Sequence, residues 1–417
     1  AFNYNDLSST NNNRILQNTG NIAIAGVFTP GTGTYTTAGS TVVFNGTGNQ
    51  NVPVFTSLTA NRSYHHLVIE GTGLYTPSRT WGGAGITNGI TGNLTLNGGQ
   101  FEQTTTLGNV NFYVNGDLNM TNANACFSQH SGNLSSNNTY ILGNWVQSAG
   151  KFDFNTSPSG TGDGFAYLYG NFTGSGGNIS CTSTGSNTIN PTFTFDGAMV
   201  QNYSRTAGTN SFVDFVIAAN KSLLLLTDFA VADGDIVVEA NATLDAQGFT
   251  VTTTDAGASS DEFETNNGSL IRTTHAAGIL GMAPSGTRDF NTATIYEFYG
   301  VNQNTGFNVV PAITTAAEIK MSLSGTLTNT SAAIILNNAF TLNSGIFNTG
   351  AANIIHLASG ATVSSNAGAF IIGSNAGTLN FVGSGTFSGV NNPYNVYING
   401  AVNFRSEERR VGKECLR

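Results

Sequence analysis

The sequence predicts an all-β fold, a right-handed parallel β-helix or related β-solenoid with irregular loops, and three observations carry that prediction. Charged residues make up 9% of the 417 residues, against about 25% in ordinary soluble chains. Aromatic residues reach 10%, with 27 Phe and 13 Tyr beside 52 glycines. That mixture is too rich in strand formers for a disordered chain, and it suits strands broken by glycine and asparagine turns. The third observation is an internal repeat.

Four segments align: TGNLTLNGGQF (91–101), NGDLNMTNANACF (115–127), LGNWVQSAGKF (142–152) and YGNFTGSGGNI (169–179). Each holds Gly, then Asn or Asp, then a large apolar residue. The glycines fall at 92, 116, 143 and 170, in steps of 24, 27 and 27. A step in the twenties fits one coil of a solenoid, where each coil buries its apolar face only against its neighbours. Stacking brings equivalent positions to one strand spacing, about 4.8 Å. Leu94, Leu118, Trp145 and Phe172 are then expected to form an inward apolar ladder. Asn93, Asp117, Asn144 and Asn171 are expected beside it as a turn ladder, because short polar side chains tolerate left-handed backbone and bond nearby amides. The glycines are assigned to unusual backbone angles at the corner.

In chain order, residues 1–39 read as a fragment edge or first coils, and 40–252 as solenoid with regular coils of 24–27 residues. Residues 253–291, where the pattern loosens around a local acidic cluster, read as an irregular connector or protruding loop. Residues 292–404 continue the solenoid. A longer cycle overlies the coils: strands ending in Phe-x-Gly recur at Phe44, Phe195, Phe298 and Phe381, the first three followed by Gln within six residues. An alternating strand follows each one (HLVIEG, FVIAAN, EIKMSLSG, NVYING). The last thirteen residues, 405–417, differ from all of this, with five basic and three acidic side chains. Residues 405–415, RSEERRVGKEC, resemble the translation of a common short-read sequencing adapter, so the tail is read as non-native and the natural chain as continuing beyond Phe404.

The succession Phe-x-Gly…Gln, a Leu-x-Ile strand and TLNGGQF resembles the β-strand-repeat surface proteins of Bacteroidota. NNGSLIRTTHAAGI followed by FNTATIYEFYG is similar to a connector between their repeats. The resemblance spans most of residues 40–404. It implies a large secreted or cell-surface bacterial protein with roles in adhesion or matrix and no shared catalytic residues.

Several function classes are disfavoured directly. A net charge of −9 supplies no basic field for nucleic acid. The run of four leucines, 223–226, falls far short of the roughly 20 apolar residues of a membrane helix. An enzyme on this fold needs clustered carboxylates, and no paired Asp-Asp stands in the sequence. Asp233 and Asp235 in TDFAVADGDIVV are the weak calcium candidates, since i, i+2 positions share a strand face; solvated turn carboxylates are the plainer reading. His65 and His66 are adjacent on a strand and so expected on opposite faces, unable to chelate together. His275 reads as a connector residue. Trp145 belongs to the core ladder. Trp81, beside Arg79 in SRTWGGAG, is a candidate glycan contact through ring stacking.

With Cys415 set aside, Cys126 and Cys181 lie 55 residues apart, close to two coils or roughly 9–10 Å along the stack. Bridged Cα atoms stay within about 7 Å, so two unbridged thiols are expected, one of them buried. No cofactor is expected beyond the calcium candidate. The sequence as a whole points to a structural or adhesive segment of a large extracellular or cell-surface repeat protein, a rod-like stalk and polyvalent contact surface. Its expected partners are glycans, extracellular matrix or other cells, and neighbouring repeats of its own longer chain, with no nucleic acid and no membrane span. The alternative is a polysaccharide lyase or hydrolase, or a carbohydrate-binding module, on the same scaffold.

Overall fold

Alternation decides the walls. In Val110–Val114 the side chains of Val110, Phe112 and Val114 are buried, while Asn111 and Tyr113 face outward; Asn137–Ile141 and Gly164–Leu168 repeat the pattern. A period of two with one apolar face makes a half-buried strand, and its partners in the computed structural model are parallel strands of the next coils. The structure describes residues 2–404 apart from short segments, of which 55–63, 78–87, 104–109, 130–136, 158–163, 184–190, 255–260, 308–314 and 389–394 are the longest. The adapter-like tail, 405–417, lies outside the described residues.

The fold is a parallel β-solenoid, as the repeat requires. It divides into two compact units, one of Ala1–Val216, Ala230–Asp235 and Thr254–Ser259, the other of Ile217–Phe229, Ile236–Thr253 and Ser260–Arg417. In the first unit each regular coil lays down three short strands. One wall contains His66–Ile69, Leu94–Leu96, Leu118–Met120 and Trp145–Gln147, continued by the first part of Phe172–Ser180. A second contains Leu74–Pro77, Gln100–Glu102, Cys126–Ser128 and Lys151–Asp153. The third contains Asn88–Ile90, Val110–Val114, Asn137–Ile141, Gly164–Leu168 and Thr192–Phe195.

The expected inward ladder is present and longer than four members. Register stacks Val42, Leu67, Leu94, Leu118, Trp145, Phe172 and Tyr203 in one column, all buried. Trp145 is sealed among Phe152, Phe172 and Phe193, with ring centroids 4.7, 6.0 and 5.2 Å away. The second unit builds an equivalent column from Leu223, Leu244, Ile271, Tyr296, Ile319, Phe340 and Val363. Each fully buried Leu or Phe contributes about 1.5–3 kcal/mol, and nearly all of that depends on the coil above and below.

Two expectations about the corner are corrected. The coil glycines 92, 116, 143 and 170 do not adopt positive φ, and neither do Asn93, Asp117, Asn144 and Asn171. What demands glycine is contact: a Cβ on Gly143 would stand 2.5 Å from the Gly116 carbonyl carbon and 2.6 Å from Asp117 Oδ1. The stack leaves no room for a methyl group at that corner. Residues 253–291 also depart from the irregular connector that the sequence predicts. Glu262–Thr265 pairs in register with Ile236–Val238 and Thr287–Phe290, and Leu270–Thr273 with Thr243–Asp245 and Ile295–Gly300. Among the described residues of this stretch, the irregular part shrinks to a turn at His275, whose Nδ1 accepts the Ala277 N–H at 3.2 Å, and one helical turn, Ile279–Met282; 255–260 lie outside the described residues.

The Phe-x-Gly…Gln motif has a physical cause. Gln201 is buried, and its Oε1 accepts the Gly197 N–H at 2.7 Å, closing the turn. Its Nε2 reaches the previous coil, donating to Leu168 O at 2.9 Å and to Gly170 O. Gln50 does the same with Gly46, Ile24 and Gly26. In the third copy the turn is one residue shorter, Gly300 takes φ 97°, and Gln303 Nε2 donates within its own turn to Tyr299 O.

Candidate functional site

Polar side chains on the corners form a ladder whose members bond the backbone of the next coil. Asn93 Oδ1 accepts the Asp117 N–H at 2.9 Å, Asp117 Oδ1 the Asn144 N–H at 2.7 Å, Asn144 Oδ1 the Asn171 N–H at 2.9 Å, and Asn171 Oδ1 the Asn202 N–H at 2.8 Å. The amide-bonding role expected of this column is therefore met, without left-handed backbone. His66 occupies the same column one coil earlier, because Leu67 pairs with Leu94. Its Nδ1 accepts the Asn93 N–H at 2.9 Å. The imidazole stands in for an asparagine.

That arrangement corrects the reading of the two histidines. His65 sits in a bend, not on the strand, so alternation does not separate the pair. Their rings meet edge to face with centroids 4.2 Å apart, and His65 Nδ1 lies 2.8 Å from Thr91 Oγ1. Burial lowers the His66 pKa, and His65 lowers it further. Both rings are half-buried, and both Nδ1 atoms are engaged within the protein.

Asp233 and Asp235, the calcium candidates, also lie in a turn, between Phe229–Ala232 and Ile236–Val238. Asp233 takes left-handed backbone, φ 53°, so the shared strand face expected of i, i+2 positions does not apply. The Asp235 N–H donates to Asp214 Oδ1 at 3.0 Å, another inter-coil clamp. Among the described residues no group of three or more His, Cys, Asp or Glu side chains is placed to hold a metal ion. Arg79 and Trp81 lie outside the described residues. Cys126 and Cys181 are free thiols, the second buried. Burial pushes the Cys126 thiol up to about 12, with help from Asp153, and pushes Cys181 up to about 11.

Two outward-facing features escape sequence reading. In the second unit, register places Asp245, Arg272, Glu297 and Lys320 on four successive coils. Arg272 bridges its neighbours, Nη1 to Asp245 Oδ2 at 2.7 Å and Nε to Glu297 Oε2 at 2.9 Å. Asp245 also accepts the Tyr299 hydroxyl at 2.6 Å and the Gln247 N–H at 3.1 Å, and the guanidinium lies over the Tyr299 ring, 4.6 Å from its centroid. Burial works against the Arg272 charge, but Asp245 and Glu297 together outweigh it and raise its pKa. Glu318 accepts the Thr341 hydroxyl at 2.7 Å and lies 3.6 Å from Lys320 Nζ.

In the first unit, Tyr113, Tyr140 and Tyr167 stack on successive coils of the third wall. Their centroids are 4.5 and 4.9 Å apart, and the planes are within 11° of parallel. Asn111 and Asn138 form an amide pair beside them, Nδ2 of Asn138 donating to Oδ1 of Asn111 at 2.9 Å. Leu142 and Tyr169 extend the strip across the wall. Burial, and then Tyr113 and Tyr167, push the Tyr140 phenol up to about 12; burial and Asp196 push Tyr169 to about the same value. A signal for this stack existed: each tyrosine stands three residues before a coil glycine, at 116, 143 and 170. Comparison of the chain with family models, with curated proteins and with solved structures gives no match.

Proposed function

We propose that this chain is a structural and adhesive segment of a large secreted or cell-surface bacterial repeat protein, a stalk whose walls offer shallow, repeated contacts to glycans, matrix or other cells. The observation that carries the reading is the use of its polar groups. Corner Asn and Asp side chains, the motif glutamines Gln50 and Gln201, His66 and the Asp245–Arg272–Glu297 column are all engaged in joining one coil to the next. A scaffold needs such groups for cohesion, whereas an active site needs some of them free. The resemblance to the β-strand-repeat surface proteins of Bacteroidota points the same way. The test is adherence: beads coated with the chain are expected to retain bacterial cells or extracellular polysaccharide above an inert-protein control. Beads that retain neither would overturn the adhesive reading.

A second reading, a polysaccharide hydrolase, draws on one specific observation, the column of Asp245, Glu297 and Glu318 with Arg272 and Lys320. Asp245 and Glu297 are two coils apart, roughly 9.6 Å along the stack, near the upper end of the separation of inverting glycosidase carboxylates. Against it, Arg272 stands between them and the oxygens of Asp245 are occupied by Arg272, Tyr299 and the Gln247 amide. The hydrolase reading requires new reducing ends from a polysaccharide panel, abolished by Asp245→Asn and Glu297→Gln. The scaffold reading expects no release by any of the three proteins.

A further inference from the structure

We infer that the tyrosine strip of the third wall, Tyr113, Tyr140 and Tyr167 with Asn111 and Asn138, is a docking surface for an extended neutral glycan. This inference rests on the adhesive reading and gives it a place on the molecule.

Its chemistry selects the ligand. The wall strands Val110–Val114, Asn137–Ile141, Gly164–Leu168 and Thr192–Phe195 contain no Lys, Arg, His, Asp or Glu. Among the described residues the acid at its edge is Asp196, next to Phe195. A polyanion finds no cation there, and a basic partner finds one carboxylate already beside Tyr169. What the strip does offer is the outer edges and hydroxyls of half-exposed phenol rings, whose faces cover one another, an apolar rim with polar tips next to paired amides. Among the described residues the Tyr140 and Tyr167 hydroxyls have no hydrogen-bond partner. Hexoses present the matching surface, C–H patches edged by hydroxyls. The spacing also agrees: an extended β-linked glycan advances per sugar by roughly one strand spacing, the interval at which the tyrosines repeat.

Alignment of rings and amides by the solenoid itself means that the surface is preformed, so binding orders no loop. Because burial raises the Tyr140 and Tyr167 phenols above their ordinary range, affinity is expected to be flat from pH 6 to 9. Because no ion pair forms, it is expected to be flat with salt.

The full chain is titrated with cellohexaose and laminarihexaose, with polygalacturonate as the charged control. The variant is Tyr140→Thr, which takes the residue that the same column already carries at Thr194, paired with Tyr167; Tyr140→Phe keeps the ring and removes the hydroxyl. Binding of a neutral hexasaccharide that is unchanged between 20 mM and 500 mM salt, weakened roughly tenfold or more by Tyr140→Thr and less by Tyr140→Phe, supports the inference. Unaltered binding in a folded Tyr113→Thr/Tyr140→Thr/Tyr167→Thr protein overturns the site while leaving adhesion standing. Preference for polygalacturonate overturns the ligand class. Concentration-dependent self-association abolished by the triple variant, without glycan binding, assigns the strip to a second copy of the chain instead.

Discussion

Replacing Gly143 by alanine separates two accounts of the corner by the sign of the stability change. Gly143 has ordinary negative φ, and at such a site Gly→Ala normally stabilises by about 0.4–1 kcal/mol through the unfolded chain. Contact argues the other way. The new Cβ would lie 2.5 and 2.6 Å from the carbonyl carbon and oxygen of Gly116 and 2.6 Å from Asp117 Oδ1, where ordinary contact starts at 3.4 Å. The opposing atoms are largely backbone, so the coil itself must move by most of an ångström. That displacement strains two bonds that join the coils, Gly143 N–H to Gly116 O at 3.1 Å and Asn144 N–H to Asp117 Oδ1 at 2.7 Å. Overpacking costs about 1–3 kcal/mol and each hydrogen bond about 0.5–1.5 kcal/mol. We expect a net loss of about 2–4 kcal/mol.

Two further glycines supply the controls. Gly48 has ordinary φ, and no atom lies within 4 Å of the place its methyl group would take, so Gly48→Ala should be neutral or slightly stabilising. Gly360 has φ 88° with the same open space, so Gly360→Ala isolates the backbone term at about 1–2 kcal/mol. Urea unfolding followed by circular dichroism gives the ranking. Amide exchange at Asn144 and Asn171 localises the damage, which matters because a stacked repeat need not unfold in one step. A Gly143→Ala protein as stable as Gly48→Ala would refute the close-approach argument.

Acid should weaken the first unit through His66. Its folded pKa lies below the unfolded value near 6.5, so the unfolded chain binds the extra proton and stability falls as pH drops through 6.5; His66→Asn, keeping an acceptor for the Asn93 amide, should flatten the pH 5–7.5 stability profile relative to wild type. The two thiols should resist a disulfide-exchange reagent at pH 8 in the native protein and react once unfolded, since burial holds both well above that pH; fast native labelling would contradict their placement. Arg272→Met leaves Asp245 and Glu297 without their shared cation and should cost about 1–3 kcal/mol, with Asp245→Asn/Arg272→Met/Glu297→Gln recovering part of it; equal losses in the single and triple variants would deny the coupling.

Legibility followed periodicity. The four-member apolar ladder was readable because Leu94, Leu118, Trp145 and Phe172 keep one offset from a glycine, and one offset in a stack is one column. The same offset rule contained the tyrosines, but a search anchored on Gly-Asn-apolar looks downstream of the glycine and not three residues before it. Asp245, Arg272, Glu297 and Lys320 were hidden for a different reason. Their coil steps are 27, 25 and 23 residues, and opposite charges that satisfy one another share no residue type to align. The corner was misread because composition reports that glycine is needed and not why: positive φ and lack of room both exclude a side chain. The alternation expected of His65 and His66 fails because the strand begins at His66, with His65 in the bend before it.

The two outward features divide along a physical line that bears on which one meets a partner. In the charged column Asp245, Arg272 and Glu297 find their complements on neighbouring coils, so a ligand that took Asp245 would have to displace Arg272, the Tyr299 hydroxyl and a backbone amide together. In the uncharged tyrosine stack, among the described residues, no such bond engages the Tyr140 and Tyr167 hydroxyls. Parallel rings gain from one another across coils, yet their hydroxyls and outer edges remain at the surface whether or not anything binds. The proposed recognition would therefore leave cohesion intact in the tyrosine strip, whereas in the charged column it would come at the expense of cohesion. For a protein whose coils are stable only through their neighbours, a contact surface that leaves the inter-coil bonds intact is the one that can be used repeatedly.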